Sequence, residues 1–325
     1  MIARRKIVLA LGAGALTPFA SFAQQPAKVF RIGFLGAVSA VGSEWRIEAL
    51  RAGMRDLGYV EGRNFVIETR WSDGKNDRLP DLAAELVRMK VDVLVTHGTP
   101  GTLAAKQATK VPIVMAVSGD AVGTGIVSNL GRPGGNITGT TFFDPELSAK
   151  RLELLKEIMP RITRVAVLLN PRNPANVPLL RAMGAAAAHL KLKLEQFEVQ
   201  GPEEFAGAMA AMAKSRVEAL ALTQDSVLVE HAGAIAGLAA KQRLASTGFA
   251  EYAQAGGLLG YGVNIRELFR RATYFVDKIL RGAKPGDIPV EQPTKFEMVV
   301  NLKTAKALGI KIPQSILLQA TKVIE

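Results

Sequence analysis

Six short polar clusters each follow an apolar run of strand length, and their residue types suit the capture of a small polar molecule. They are Gly36-Ala37-Val38-Ser39, His97-Gly98-Thr99, Ser118-Gly119-Asp120, Asn170-Pro171-Arg172-Asn173, Gln224-Asp225-Ser226 and Phe249-Ala250-Glu251-Tyr252. The carboxylates of Asp120 and Asp225 can pair with an ammonium group. Backbone N–H groups, hydroxyls and an arginine can hold a carboxylate. Phe249 and Tyr252 offer flat faces for an organic group or a cation. The candidate ligand-binding residues are therefore Ser39, Gly98, Thr99, Ser118, Asp120, Asn170, Asn173, Asp225, Phe249 and Tyr252.

Several of these residues have an equally natural structural reading. Asp225 precedes a helical pattern and can cap it. Asp120 can brace the turn toward Gly123 and Gly125, and Asn170 and Asn173 can form turns beside the neighbouring prolines. Phe249 and Tyr252 can serve as core or interface packing.

Catalytic constellations are poor. The histidines are His97, His189 and His231. His97 stands at a strand end, but no neighbouring serine or acid completes a triad. A Gly-x-Ser-x-Gly elbow, a His-Glu-x-x-His pair and a P-loop are all missing from the sequence. No group of His or carboxylate residues has metal-ligand spacing, so neither a metal nor a cofactor is expected. The best acid–base pair is His97 with Asp120 or Asp225, which leaves a two-domain hydrolase as the alternative to a binding protein.

The elements that position these residues alternate as strand and helix. Expected strands are Phe30–Leu35, Phe65–Arg70, Val91–Thr96 and Pro112–Val117, separated by helices over Glu44–Leu57, Leu79–Met89 and Thr102–Thr109. Gly131–Gly139 holds several glycines and reads as a connection. The rhythm then restarts. Helices are expected over Leu147–Ile158, Pro178–His189, Glu203–Lys214 and Val229–Lys241, with strands at Arg164–Leu169, Lys193–Val199, Ala219–Thr223 and Ala245–Ala250. Arg266–Leu280 is a long amphipathic helix, prolines at 285, 289 and 293 mark an extended return, and Leu302–Leu308 is a terminal helix. Such alternation predicts an α/β chain with parallel sheets in two halves, residues 28–142 and 143–260. Ligands gather beyond the carboxyl ends of such strands, where the polar clusters lie.

Residues 1–23 read as an export leader. Arg4, Arg5 and Lys6 precede an apolar run to Phe19, and Ser21-Phe22-Ala23 supplies small residues before a cut at Gln24. The run is shorter than the ~20 residues that span a bilayer. The Arg4-Arg5 pair admits a twin-arginine route beside the general one. The chain contains no cysteine, which excludes disulfides, thiolate metal sites and lipid attachment through an N-terminal cysteine. Together these features predict a periplasmic, unlipidated protein. The formal charge of +12 is scattered among acids rather than gathered in a stripe. A nucleic-acid partner is therefore not expected.

Leu57-Gly58-Tyr59-Val60-Glu61-Gly62-Arg63-Asn64 resembles a segment of a family of ABC-transporter substrate-binding proteins of the tryptophan/tyrosine type. Similar stretches follow at Arg132–Gly139, Lys150–Lys156, Gly256–Leu258, Tyr261-Gly262, Asp277–Pro285 and Asn301–Gly309, in order along nearly the whole mature chain. The resemblance implies two Rossmann-like lobes with parallel sheets joined by hinge crossings, a type I periplasmic binding protein. It implies an N-terminal lobe of 28–142 plus about 262–287 and a C-terminal lobe of 143–261 plus about 288–325. It further implies a monomer that clamps a small polar or aromatic organic molecule, such as an amino acid or related carboxylate, and delivers it to an ABC permease. A sensor subunit presenting its ligand to a membrane receptor is the other role on this pattern. The chain departs from the family at Asp120-Ala121, where Asp-Pro is usual, and near Ala245, where a proline is usual.

Overall fold

The computed structural model describes residues 28–325, so the leader expected over 1–23 lies outside the described residues. Apolar runs form the central strands, buried on both faces as parallel sheets require, and more polar runs form half-buried edges. In the first sheet these are β1 (Phe30–Gly36), β2 (Phe65–Trp71), β3 (Val93–His97), β4 (Ile113–Gly119) and β5 (Ile137–Phe142). Their order is β2-β1-β3-β4-β5 and every pairing is parallel. Helices α1 (Glu44–Asp56), α2 (Leu79–Arg88) and α3 (Gly98–Ala108) make the crossovers. Helix α4 (Asp144–Ile158) then leads into the second sheet.

The second sheet contains β6 (Arg164–Leu169), β7 (Lys193–Glu198), β8 (Ala219–Leu222), β9 (Ala245–Gly248), β10 (Leu259–Gly262), β11 (Glu297–Asn301) and β12 (Lys322–Ile324). Its order is β12-β11-β10-β9-β8-β6-β7, and the pairing of β10 with β11 is its antiparallel step. Its helices are α5 (Asn176–His189), α6 (Phe205–Lys214), α7 (Ser226–Glu230), α8 (Ala232–Lys241) and α9 (Ala250–Gln254). Each sheet separates two apolar clusters, which gives the chain two three-layer lobes.

Helix α10 (Ile265–Leu280) follows β10 but packs on the first lobe. It buries Leu268, Phe269, Ala272, Phe275, Val276 and Ile279 in the same cluster as Leu50 and Met54 of α1. Gly53 permits this approach, since a Cβ there would lie 2.8 Å from the Arg270 carbonyl oxygen. The chain returns through residues 289–296, where Glu291 N donates to Gly139 O before β11 joins the second sheet. It ends with α11 (Leu302–Leu308), α12 (Gln314–Gln319) and β12. The lobes are thus joined three times, after β5, after β10 and before β11.

Four local expectations are corrected. The glycine-rich passage does not end as a connection, because Ile137-Thr138-Gly139 begins β5. Gly139 sits at φ +132° with its open side against the Met115 backbone, so glycine is needed inside this strand. The helix expected over Val229–Lys241 starts at Ser226 and breaks at His231 into α7 and α8. The strand expected through Ala250 stops at Gly248, and α9 begins at Ala250. Finally, β10, β11 and β12 replace what reads as loop and tail. Two of the four residues of β10 are glycines, and a Cβ at Gly260 would lie 2.7 Å from two backbone carbonyls of 249–250, so close packing hides the strand pattern.

Candidate ligand-binding cleft

In each sheet the strand order reverses beside its first strand, between β1 and β3 and between β6 and β8. Crevices open at such points, beyond the carboxyl ends of the strands. The two crevices face one another here and enclose a cavity. It holds about 510 Å³ of unfilled space, part of it open to solvent. It is a narrow slot suited to a small organic molecule.

The first lobe supplies one wall. Gly98 and Thr99 begin α3 and line the slot, and a helix start carries backbone N–H groups without intrahelical acceptors. Thr99 Oγ1 lies 3.4 Å from Ser118 Oγ, one residue before the end of β4. His97 Nε2 accepts the Ala37 N–H at 3.3 Å, which leaves the proton of the neutral ring on Nδ1. Burial, and then the nearby Arg46 guanidinium, holds His97 well below its usual range, so it stays neutral. Phe142, Ile265 and Phe269 add apolar surface.

The second lobe supplies Asn173, Gln224, Asp225 and Ser226. Asp225 accepts from Val227 N at 2.9 Å, from Asn173 Nδ2 at 2.9 Å and from Asn170 Nδ2 at 3.3 Å. Both readings of Asp225 hold at once, since it caps α7 and faces the cavity. Burial raises its pKa, and the N–H donors work against that rise. Asn170 and Asn173 are also turn formers, accepting from Arg172 N and Ala175 N respectively.

Beneath the slot lies a buried polar hub. Arg151 of α4 donates to the Tyr261 carbonyl at 2.7 Å, to Gln224 Oε1 at 2.8 Å and to Ser148 Oγ at 3.3 Å, and it stands 3.7 Å from Asp144. Burial pushes Asp144 up to about 6 against the pull of Arg151, and burial likewise lowers Arg151. Across the mouth, Arg46 meets Glu230 at 3.2 Å. Arg46 and Arg151 therefore each have a carboxylate, whereas Asp225 has only neutral donors among the described residues.

The remaining sequence candidates lie elsewhere. Asn170 stands one step behind the wall, holding Asp225. Ser39 is half-buried near the rim and outside the lining. Asp120 turns away to accept Gly123 N at 2.9 Å, in a positive-φ turn. Phe249 and Tyr252 are fully buried in the second lobe's core, with the Tyr252 hydroxyl donating to Ser246 Oγ at 2.8 Å. Strand ends were a sound guide to the slot but not to these two rings, because α9 folds them inward. Arg46, Asp144, Ile265 and Phe269 were not singled out from sequence, whereas Gln224 stands in one of the six polar clusters. Arg46 carried a signal, an arginine on the same helical face as Leu50 and Met54.

The hydrolase pairing finds no support in this geometry. Among the described residues no hydrogen bond joins His97 to Asp120 or Asp225, and both acids are committed to other donors.

The family model described as ABC transporter substrate binding protein matches residues 32–324. The chain belongs to that family. This substrate-binding protein is 26% identical to the tyrosine-binding protein of Clostridioides difficile (strain R20291) over 261 residues, 79% of this chain and 74% of that one. It is also 26% identical to the ABC domain of Streptococcus pneumoniae solved in complex with L-Trp. That match has a TM-score of 0.83 and covers 91% of this chain and all of the other. The leucine-binding protein LivK of Thermotoga maritima matches at 14% identity with a TM-score of 0.58, over 78% of this chain and 83% of that one, which shows a shared fold alone. The substrate-binding protein thus has the type I periplasmic binding architecture. Among its described residues no helix is long and apolar enough to cross a membrane.

Proposed function

We propose that this protein is an exported, monomeric receptor that captures a small organic zwitterion between its lobes and hands it unchanged to an ABC permease. The supporting observation is the charge balance of the slot. Asp225 is a buried carboxylate whose partners are all neutral, so a ligand ammonium completes its pairing. The same slot offers Thr99, Ser118 and the start of α3 for a carboxylate. Phe142 and Phe269 provide an apolar wall for the rest of the molecule. Two relatives agree with this reading, one named for tyrosine and one solved with L-Trp. The family is one of binding proteins, and transport without catalysis fits a slot whose histidine has no acid or hydroxyl hydrogen-bonded to it among the described residues.

Native mass spectrometry of the mature protein, followed by a thermal-shift panel of amino acids and aromatic carboxylates, tests the assignment. A true ligand at ~100 times its dissociation constant adds about 2.7 kcal/mol of stability. Hits confined to uncharged or purely anionic compounds would overturn the zwitterion. The N-terminal residue of the exported protein tests the leader, with Gln24 expected.

A further inference from the structure

Helix α7 is five residues long and touches the opposite lobe along its length. At its start, Ser226 Oγ presses on the first turn of α3, where a Cβ at Gly98 would lie 2.7 Å away. Val227 reaches to within 3.6 Å of the position a Cβ would take at Gly74, and Val229 packs against the first lobe's core. At its end, Glu230 accepts Ser43 Oγ at 2.9 Å and Arg46 Nη1 at 3.2 Å.

The Arg46 contact is the one whose loss leaves a buried charge unpaired. Arg46 is 2% exposed, with its guanidinium 4.5 Å from the Trp45 ring centroid. A buried guanidinium without a counter-charge is costly, and Glu230 is the acid that pairs with it. Glu230 belongs to the other lobe, so the pair exists only when the lobes are together. The contact consists wholly of protein atoms. Asp225 caps the same short helix, and the chain breaks at His231 before α8 begins. Engaging Glu230 and setting Asp225 at the slot are therefore one movement of α7.

We propose that Glu230 is a positioning residue, a latch that closes on Ser43 and Arg46 and thereby places Asp225 at the ligand. The inference rests on the cleft being the binding site, but it concerns lobe closure and not the identity of the solute. It extends to a definite claim, that the latch maintains a closed population before any solute arrives.

The test uses single-molecule energy transfer with no ligand added. Lys75→Cys and Val177→Cys place dyes on exposed positions of opposite lobes, and the chain has no other cysteine to label. The unaltered latch is expected to show a closed population. Glu230→Gln should lower the closed-to-open ratio by about tenfold, while circular dichroism shows the lobes folded. Arg46→Met added to Glu230→Gln removes the buried charge and should restore much of the closed state, a non-additivity that simple loss of packing does not produce. A wholly open population in the parent protein, a ratio unchanged by Glu230→Gln, or strict additivity of the pair overturns the latch. Failure to find a zwitterionic solute would leave these readings intact.

Discussion

Arg151 Nη2 donates to Gln224 Oε1 at 2.8 Å, joining the first helix after the lobe crossing to a residue on the slot wall 73 positions later. The same guanidinium holds the Tyr261 carbonyl at 2.7 Å, just before the second crossing. One side chain thus ties the segments beside two crossings to the slot wall. Gly262 leaves room for it, since a Cβ there would lie 3.2 Å from Nη2.

Arg151→Lys keeps the charge, but one ammonium nitrogen cannot span the separate acceptors that Nε, Nη1 and Nη2 reach. The expected loss of stability is about 2 kcal/mol, read by urea titration. Ligand affinity should fall as well, because Gln224 is no longer held. A variant with unchanged affinity would show that Gln224 orients itself.

Asp144 makes stability depend on pH with a definite sign. Its folded pKa, about 6, lies above the ordinary value of 3.8, because burial disfavours the carboxylate more than Arg151 favours it. The folded state therefore holds the proton more tightly than the unfolded chain. This contribution is present in full below about pH 4 and is lost as pH rises through about 6. The shift of roughly two units amounts to about 3 kcal/mol. Asp144→Asn cannot ionise, so it should flatten the slope between pH 4 and 7 and raise the melting temperature at pH 8. At pH 4 the two proteins should melt alike. Calorimetry across that range decides the matter.

Much of this architecture was legible because stretches such as Ile113–Val117 and Val165–Leu169 are uninterrupted apolar runs. The slot was legible in part for a topological reason. Parallel strands bring their carboxyl ends to one edge, which located Gly98, Thr99, Ser118, Asn173 and Asp225 without any contact information. Arg46, Asp144 and Phe269 were hidden because they come from helices, and a helix face acquires its role only once its partner is known. Phe249 and Tyr252 looked like pocket rings, since composition cannot show which way a short helix turns them. Strand β5 was hidden by Gly139, whose purpose lies in the backbone of another strand.

Gly139→Ala is expected to destabilise the first lobe severely. The residue combines φ of +132° with a Cβ position that would collide with the Met115 backbone, which cannot swing aside as a side chain can. A loss of about 3 kcal/mol or more is expected, seen as a lower urea midpoint. Gly134→Ala, also at positive φ but with nothing within 4 Å, should cost only about 1 kcal/mol and serves as the control for backbone strain alone.

Asp225→Asn separates the two duties of one carboxylate. Asparagine is as good a helix cap as aspartate, so the Val227 N–H keeps an acceptor and α7 keeps its start. Stability should fall by about 1–3 kcal/mol, because the new amide NH2 faces Asn173 Nδ2, a donor that the carboxylate accepts. The charge is what an ammonium group needs, and losing a charge-assisted bond of ~1.5–3 kcal/mol weakens binding by roughly 10- to 150-fold. Titration calorimetry with the solute found by native mass spectrometry should show that loss. The wild-type protein should lose affinity on acidification as well. Burial has raised the Asp225 pKa, so a proton competes with the ligand cation at a higher pH than at an exposed aspartate. The Asp225→Asn protein should not show that competition. If both proteins bind alike at pH 7 and follow the same acid limb, Asp225 is a cap and nothing more, and the ammonium must be sought elsewhere on the wall.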